Sequence, residues 1–296
     1  MSTKRKATKK SSARKSKTPA RRSARTALSV ARNASNTVDE RVAALSEAPL
    51  ATGENEESLQ AILKVLRDKN EPSEVRLAAF QSLGAAAFSV LAFESARGEY
   101  LTALREVATD PDPLLRRRAL GALAREQDGF AQKKLLEGLQ NPEKALVPPE
   151  KALQFLSYDI HADAYQVARE VVANPPNTAA KFEALRLLAS DATAAPVFEK
   201  ILRDKQESPE IRQICAAALQ SLSPDKLQSY AREALLDPSE PDEIQATSLT
   251  AITQFGDREA VSKDAKLRKH VDKLSGKGST RMKQGARRFI KKYGDE

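Results

Sequence analysis

The feature that most constrains this chain is a unit repeated along it. Ile62 to Leu83 reads ILKVLRDKNEPSEVRLAAFQSL, and Ile201 to Leu222 reads ILRDKQESPEIRQICAAALQSL. Each is a helical pattern, an Asp, a Pro-containing turn, a branched apolar residue, an Arg, and a second helical pattern. With that Arg as anchor (Arg76, Arg116, Arg212), the residue three further on is small (Ala79, Ala119, Cys215). The residue seven further on is Leu (Leu83, Leu123, Leu219). Pro149, Lys181, Gln245 and Met282 anchor weaker copies, with Ala152, Ala184, Ser248 and Gly285 at the small position and Leu156, Leu188, Ile252 and Phe289 at the large one. Seven anchors follow one another at intervals of 31 to 40 residues.

Offsets of three and seven fall on one face of a helix, so each second helix carries a narrow buried stripe with a small residue where another backbone comes close. Asp68, Asp110, Asn141, Asn174, Asp204 and Asp237 end the preceding helices, mostly with a Pro within a few residues. A single helix pair cannot cover its own apolar faces, whereas stacked pairs can. Ala and Leu are frequent and β-branched runs are missing. The expectation is therefore an all-α, right-handed α-solenoid of about seven helix pairs over residues 55–293, preceded by a disordered tail at 1–36. Residues 37–54 read as a linker holding a capping helix from Val38 to Ala48.

The Asp, Pro-rich turn, Val/Ile/Leu-Arg, small-residue and Leu pattern resembles the HEAT-repeat family, in a short-repeat form also seen in bilin-lyase-like proteins. Three copies match well, and four lack the Arg. The resemblance implies a ladder of side-chain contacts between repeats, here assigned to Asp68, Arg76, Asp110, Arg116, Asp204 and Arg212. At Pro149, Lys181 and Gln245 that ladder lacks its Arg. A fold of this kind does not choose a partner.

Charge is distributed unevenly along the chain. The whole carries 49 basic and 40 acidic side chains, a net +9. Residues 1–33 hold twelve basic and no acidic ones, and the last 34 residues hold twelve and four. That leaves 25 basic against 36 acidic between them, so two basic ends flank a body of −11. A like-charged, apolar-poor tail cannot fold alone, yet it displaces counterions from a polyanion without reading sequence. Lys4, Arg5, Lys6, Lys9, Lys10, Arg14, Lys15, Lys17, Arg21, Arg22 and Arg25 are its candidate nucleic-acid contacts. Ser11, Ser12, Ser16, Thr18 and Ser23 lie among them as candidate phosphorylation sites, and KRKATKK also reads as a nuclear import signal. The basic terminal helix, residues 279–293, sets Met282, Ala286, Phe289 and Tyr293 in one stripe. Arg281, Lys283, Arg287, Arg288, Lys291 and Lys292 spread over the rest as a second candidate phosphate contact. Its stripe lacks the Leu, Trp and Phe density of a membrane-inserting helix.

Parts for catalysis are few. The two histidines, His161 and His270, have no ligand at metal spacing, and Cys215 occupies a small buried slot. No phosphate-binding loop, dinucleotide fingerprint or nucleophile elbow is present. HEAT-like alkylpurine DNA glycosylases use aromatic residues, Trp prominently, and this chain has no Trp. No run approaches 18 apolar residues, and no secretory signal is expected. The reading is a non-enzymatic, intracellular scaffold without cofactor or metal, nuclear in a eukaryote and otherwise of cytoplasm or nucleoid. It contacts the DNA or RNA backbone through both basic ends and holds a protein partner on its body. The scarcity of aromatic residues argues for phosphate contact rather than base stacking.

Overall fold

A computed structural model of the chain describes residues 24–47, 56–87, 90–159 and 161–294. Among them are seventeen α-helices and no strand. In order these are α1 Ala24–Arg32, α2 Val38–Glu47, α3 Glu56–Arg67, α4 Ser73–Ala87, α5 Val90–Val107, α6 Pro113–Arg125, α7 Gly129–Gln140 and α8 Pro149–Leu156. They continue as α9 Ala162–Ala173, α10 Thr178–Leu188, α11 Ala195–Arg203, α12 Pro209–Leu222, α13 Pro224–Leu236, α14 Asp242–Phe255, α15 Arg258–Lys263, α16 Ala265–Lys277 and α17 Thr280–Tyr293. The chain divides into two compact units at Leu115/Arg116.

Every anchor lies on a second helix of a pair: Arg76 on α4, Arg116 on α6, Pro149 on α8, Lys181 on α10, Arg212 on α12, Gln245 on α14 and Met282 on α17. All seven large positions are buried, as are Ala79, Ala119, Ala152, Ala184, Cys215 and Ser248 at the small position. At the seventh small position, a Cβ on Gly285 would sit 2.9 Å from Leu249 Cδ2, so a side chain there would require the buried Leu249 to shift. Starts and stops follow local chemistry. Pro opens α6, α8, α12 and α13, where its missing N–H costs nothing, and Ser208 Oγ accepts from Ile211 N at 3.3 Å to cap α12. In the first unit α1 packs on α2 and α3, and α2 on α4. In the second, α8, α10, α12, α14 and α17 form one layer, with α7, α9, α11, α13 and α16 behind them.

The tail boundary expected at residue 36 is corrected. Residues 24–32 form α1, whose Ala27, Leu28 and Ala31 are buried, and it pairs with α2. The expected capping helix is thus the second half of an additional pair. Its anchor is Arg41, buried, with small Ala44 three residues on. Arg41 Nε donates to Ala31 O at 2.7 Å, and Nη2 to Glu71 Oε2 at 2.6 Å.

Arg76 and Arg212 repeat this geometry. Each Nε donates to the carbonyl ten residues back, Leu66 O at 3.0 Å and Leu202 O at 2.9 Å. Arg76 Nη2 reaches Asp110 Oδ2 at 2.6 Å, while Arg212 grips Glu240 through two bonds of 2.7 and 2.8 Å and donates to Tyr230 OH at 2.6 Å. Asp68 and Asp204, assigned to the ladder, do not receive an anchor Arg. Their carboxylates accept from the N–H two residues on, at Asn70 and Gln206, closing the turn. The acceptor is instead the Glu three residues later: Glu71 for Arg41, Glu207 for Lys181, Glu240 for Arg212. Arg116 donates to Leu146 O at 2.6 Å, and Gln245 turns back to Asp237 O and Glu240 O of its own turn.

Candidate nucleic-acid interface

The terminal repeat is the pair α16 and α17, packed against α14. Ser279 caps α17, its Oγ accepting from Met282 N at 3.3 Å and donating to Asp242 Oδ2 at 2.8 Å. Met282, Ala286, Phe289 and Tyr293 are all at most 2% exposed and pack against Leu249 and Ile252 of α14 and Leu267 and Val271 of α16. Tyr293 OH donates to Ile252 O at 2.9 Å and also lies 3.0 Å from Gly256 O, tying the end of α17 to the end of α14. With that stripe buried, Arg281, Arg287, Arg288 and Lys291 are exposed and Lys283 is half-buried.

Lys292 is exposed but engaged. Its Nζ donates to Thr253 O at 2.7 Å and Gln254 O at 3.1 Å, so it neutralises the carbonyl end of α14. Lys292 therefore serves as a helix cap. Of the other assigned contacts, Arg25 lies on α1, and Lys4, Arg5, Lys6, Lys9, Lys10, Arg14, Lys15, Lys17, Arg21 and Arg22 lie outside the described residues.

Cations between Lys134 and Lys263 are mostly paired with acids. Of fourteen Lys and Arg from Lys134 to Lys263, eleven form ion pairs with Asp or Glu. From Lys266 to Lys292 there are eleven more against a single acid, Asp272. Among the described residues, Arg281, Arg287, Arg288 and Lys291 have no carboxylate within pairing distance. Unneutralised charge on one packed repeat raises local counter-ion concentration, which is the physical basis of phosphate attraction.

Other polar groups answer to packing. Burial pushes the Cys215 thiol up to about 12, away from nucleophilic character at neutral pH. Burial lowers His270 despite a hydrogen bond to the Leu235 backbone, and its Nε2 is buried without a partner. Among the described residues no cluster of His, Cys, Asp and Glu is arranged to hold a metal ion, and no helix is long and apolar enough to cross a membrane. A groove of about 890 Å³ lies where the anchor is Pro149, lined by Leu139, Val171 and Asn177 among others. Sequence reading missed the Arg41–Glu71 rung, and it missed Phe255, which is 53% exposed beside the Lys292 cap.

Scans against protein-family models and curated proteins find no match to this chain. Among solved structures, the complex of CpcE and CpcF of phycocyanin lyase from Nostoc sp. PCC7120 is similar over 90% of this chain and 100% of that one, at 16% identity and a TM-score of 0.40. Human deoxyhypusine hydroxylase in complex with glycerol is similar over 82% and 98%, at 14% identity and a TM-score of 0.35. The stacked helix pairs rest on the packing described above.

Proposed function

We propose that this protein is a non-enzymatic helical-repeat scaffold that binds nucleic acid without sequence specificity, through its basic N-terminal segment and its terminal repeat, while its body holds a protein partner. One observation carries the reading. The outward cations of α17 have no acid to pair with, whereas eleven of the fourteen Lys and Arg from Lys134 to Lys263 do. A capping helix needs a polar outer face, and mixed Glu and Lys would serve that purpose equally. An acid-free face fits a polyanion. The twelve cations of residues 1–33 add further sequence-independent charge.

The test is fluorescence anisotropy of a labelled 20-nucleotide strand and a 20-base-pair duplex with full-length protein, protein lacking residues 1–23, and an Arg287→Glu/Arg288→Glu/Lys291→Glu variant. Both changes are expected to weaken binding, the triple variant by about tenfold at low salt. Binding indifferent to both sinks the reading.

A further inference from the structure

The uncharged surface beside α17 is as informative as its cations. α14 carries no charged residue from Ile244 to Phe255, and neighbouring α12 carries none from Gln213 to Leu222. These two helices, in the layer that ends with the basic helix, therefore present Gln, Thr, Ser and Ala where the layer behind them is crossed by ion pairs such as Arg203–Glu233 and Lys226–Glu199. At the end of this strip stands Phe255, the most exposed large apolar side chain among the described residues. Its backbone is tied to α17: Lys292 Nζ holds Thr253 O and Gln254 O before it, and Tyr293 OH, which donates to Ile252 O, lies 3.0 Å from Gly256 O after it.

We propose that the terminal repeat takes single-stranded nucleic acid, with phosphates along Arg287, Arg288 and Lys291 and an unpaired base stacked on Phe255. The inference rests on the nucleic-acid reading above and narrows it to one ligand class. A cation row beside a neutral strip with an exposed ring has two sides, as an unpaired strand does. A duplex hides its bases and offers phosphate on both strands, which a neutral strip does not attract. Every base has a face that a phenyl ring can cover, so the contact is independent of sequence. The fixed backbone means that little freedom is lost when the ring is covered. This reverses the expectation that scarce aromatic residues exclude stacking, because Phe255 stands exposed next to the Gln254 carbonyl that Lys292 of the basic helix caps.

The experiment uses full-length protein with oligo(dT) of 20 nucleotides, a 20-base-pair duplex, inorganic polyphosphate, and vesicles of phosphatidylcholine with phosphatidylserine. Phe255→Ala is expected to weaken oligo(dT) binding by about tenfold and leave polyphosphate binding unchanged. The Arg287→Glu/Arg288→Glu/Lys291→Glu variant weakens both. Because the chain has no Trp, Phe255→Trp places a lone reporter at the site. That variant should retain affinity, and its indole emission should be quenched by oligo(dT) but not by polyphosphate or duplex. If the charge-reversed variant weakens both ligands while Phe255→Ala affects neither, the stacking inference falls and the polyanion reading stands. If charge reversal changes neither, the polyanion reading falls with it. Indole emission of the Phe255→Trp variant that shifts to the blue on vesicles, without quenching by oligo(dT), would assign the ring to a lipid surface and overturn the inference.

Discussion

A buried guanidinium is tolerated only when its donors find acceptors, and Arg212, 1% exposed, meets Leu202 O, Tyr230 OH and both oxygens of Glu240. Removing one partner leaves the other charge buried. Glu240→Gln should therefore cost about 3 kcal/mol in denaturant unfolding, whereas Asp204→Asn, which touches only an exposed turn, should cost under about 1 kcal/mol. Equal losses would contradict the assignment of the rung to the Glu. Asp110 makes the same point through pH. Burial alone would raise its carboxyl, but hydrogen bonds from Arg76 and Asp112 N, with the Arg76 charge, hold it below the ordinary 3.8. The stability it contributes is complete above that value and is lost as pH falls through the lower folded one. Asp110→Asn should flatten the melting-temperature profile in that acid range. At Cys215, burial raises the thiol to about 12 and predicts that an aromatic disulfide reagent at pH 8 labels only unfolded protein.

At the scale of helices, the stripe at offsets three and seven was legible because it recurs, and all seven large positions are buried where that register places them. The acceptors were less legible. Asp68 and Asp204 bond their own backbone two residues on, and Glu71, Glu207 and Glu240, each three residues after a turn Asp, span the gap to the neighbouring repeat, whereas Asp110 does both, accepting from Asp112 N and from Arg76. Helix α1 was not legible because its described buried residues are just Ala27, Leu28 and Ala31, in a basic stretch followed by a turn without the Pro that marks other repeats. Lacking residues 1–23, the protein should melt as the full chain does. Lacking residues 1–33, it should lose about 2–4 kcal/mol, since Ala31 O also leaves Arg41. Similar melting of the two truncations would contradict the α1–α2 pair. In α16, burial lowers His270, so its contribution is whole above 6.5 and declines as pH drops through the folded value. Amide protection factors in α16, taken relative to the intrinsic exchange rate at each pH, should fall as pH drops below 6.5, and His270→Gln should remove that dependence.

For the molecule as a whole, composition hides the arrangement that matters. A net of +9 describes neither the acidic stretch between residues 34 and 262 nor the ends. Both basic ends were visible in the sequence; which cations stay available was not, because availability depends on who lies across from them. Lys292 is taken by the carbonyls of α14, whereas Arg287, Arg288 and Lys291 face outward. These three are the proposed fixed phosphate contact. The most direct measurement is the slope of log affinity against log salt for a 20-nucleotide strand, wild type against Arg287→Glu/Arg288→Glu/Lys291→Glu. A fixed contact predicts a slope shallower by about 2 for the variant, at about 0.7 for each phosphate no longer neutralised. Two parallel lines would contradict it.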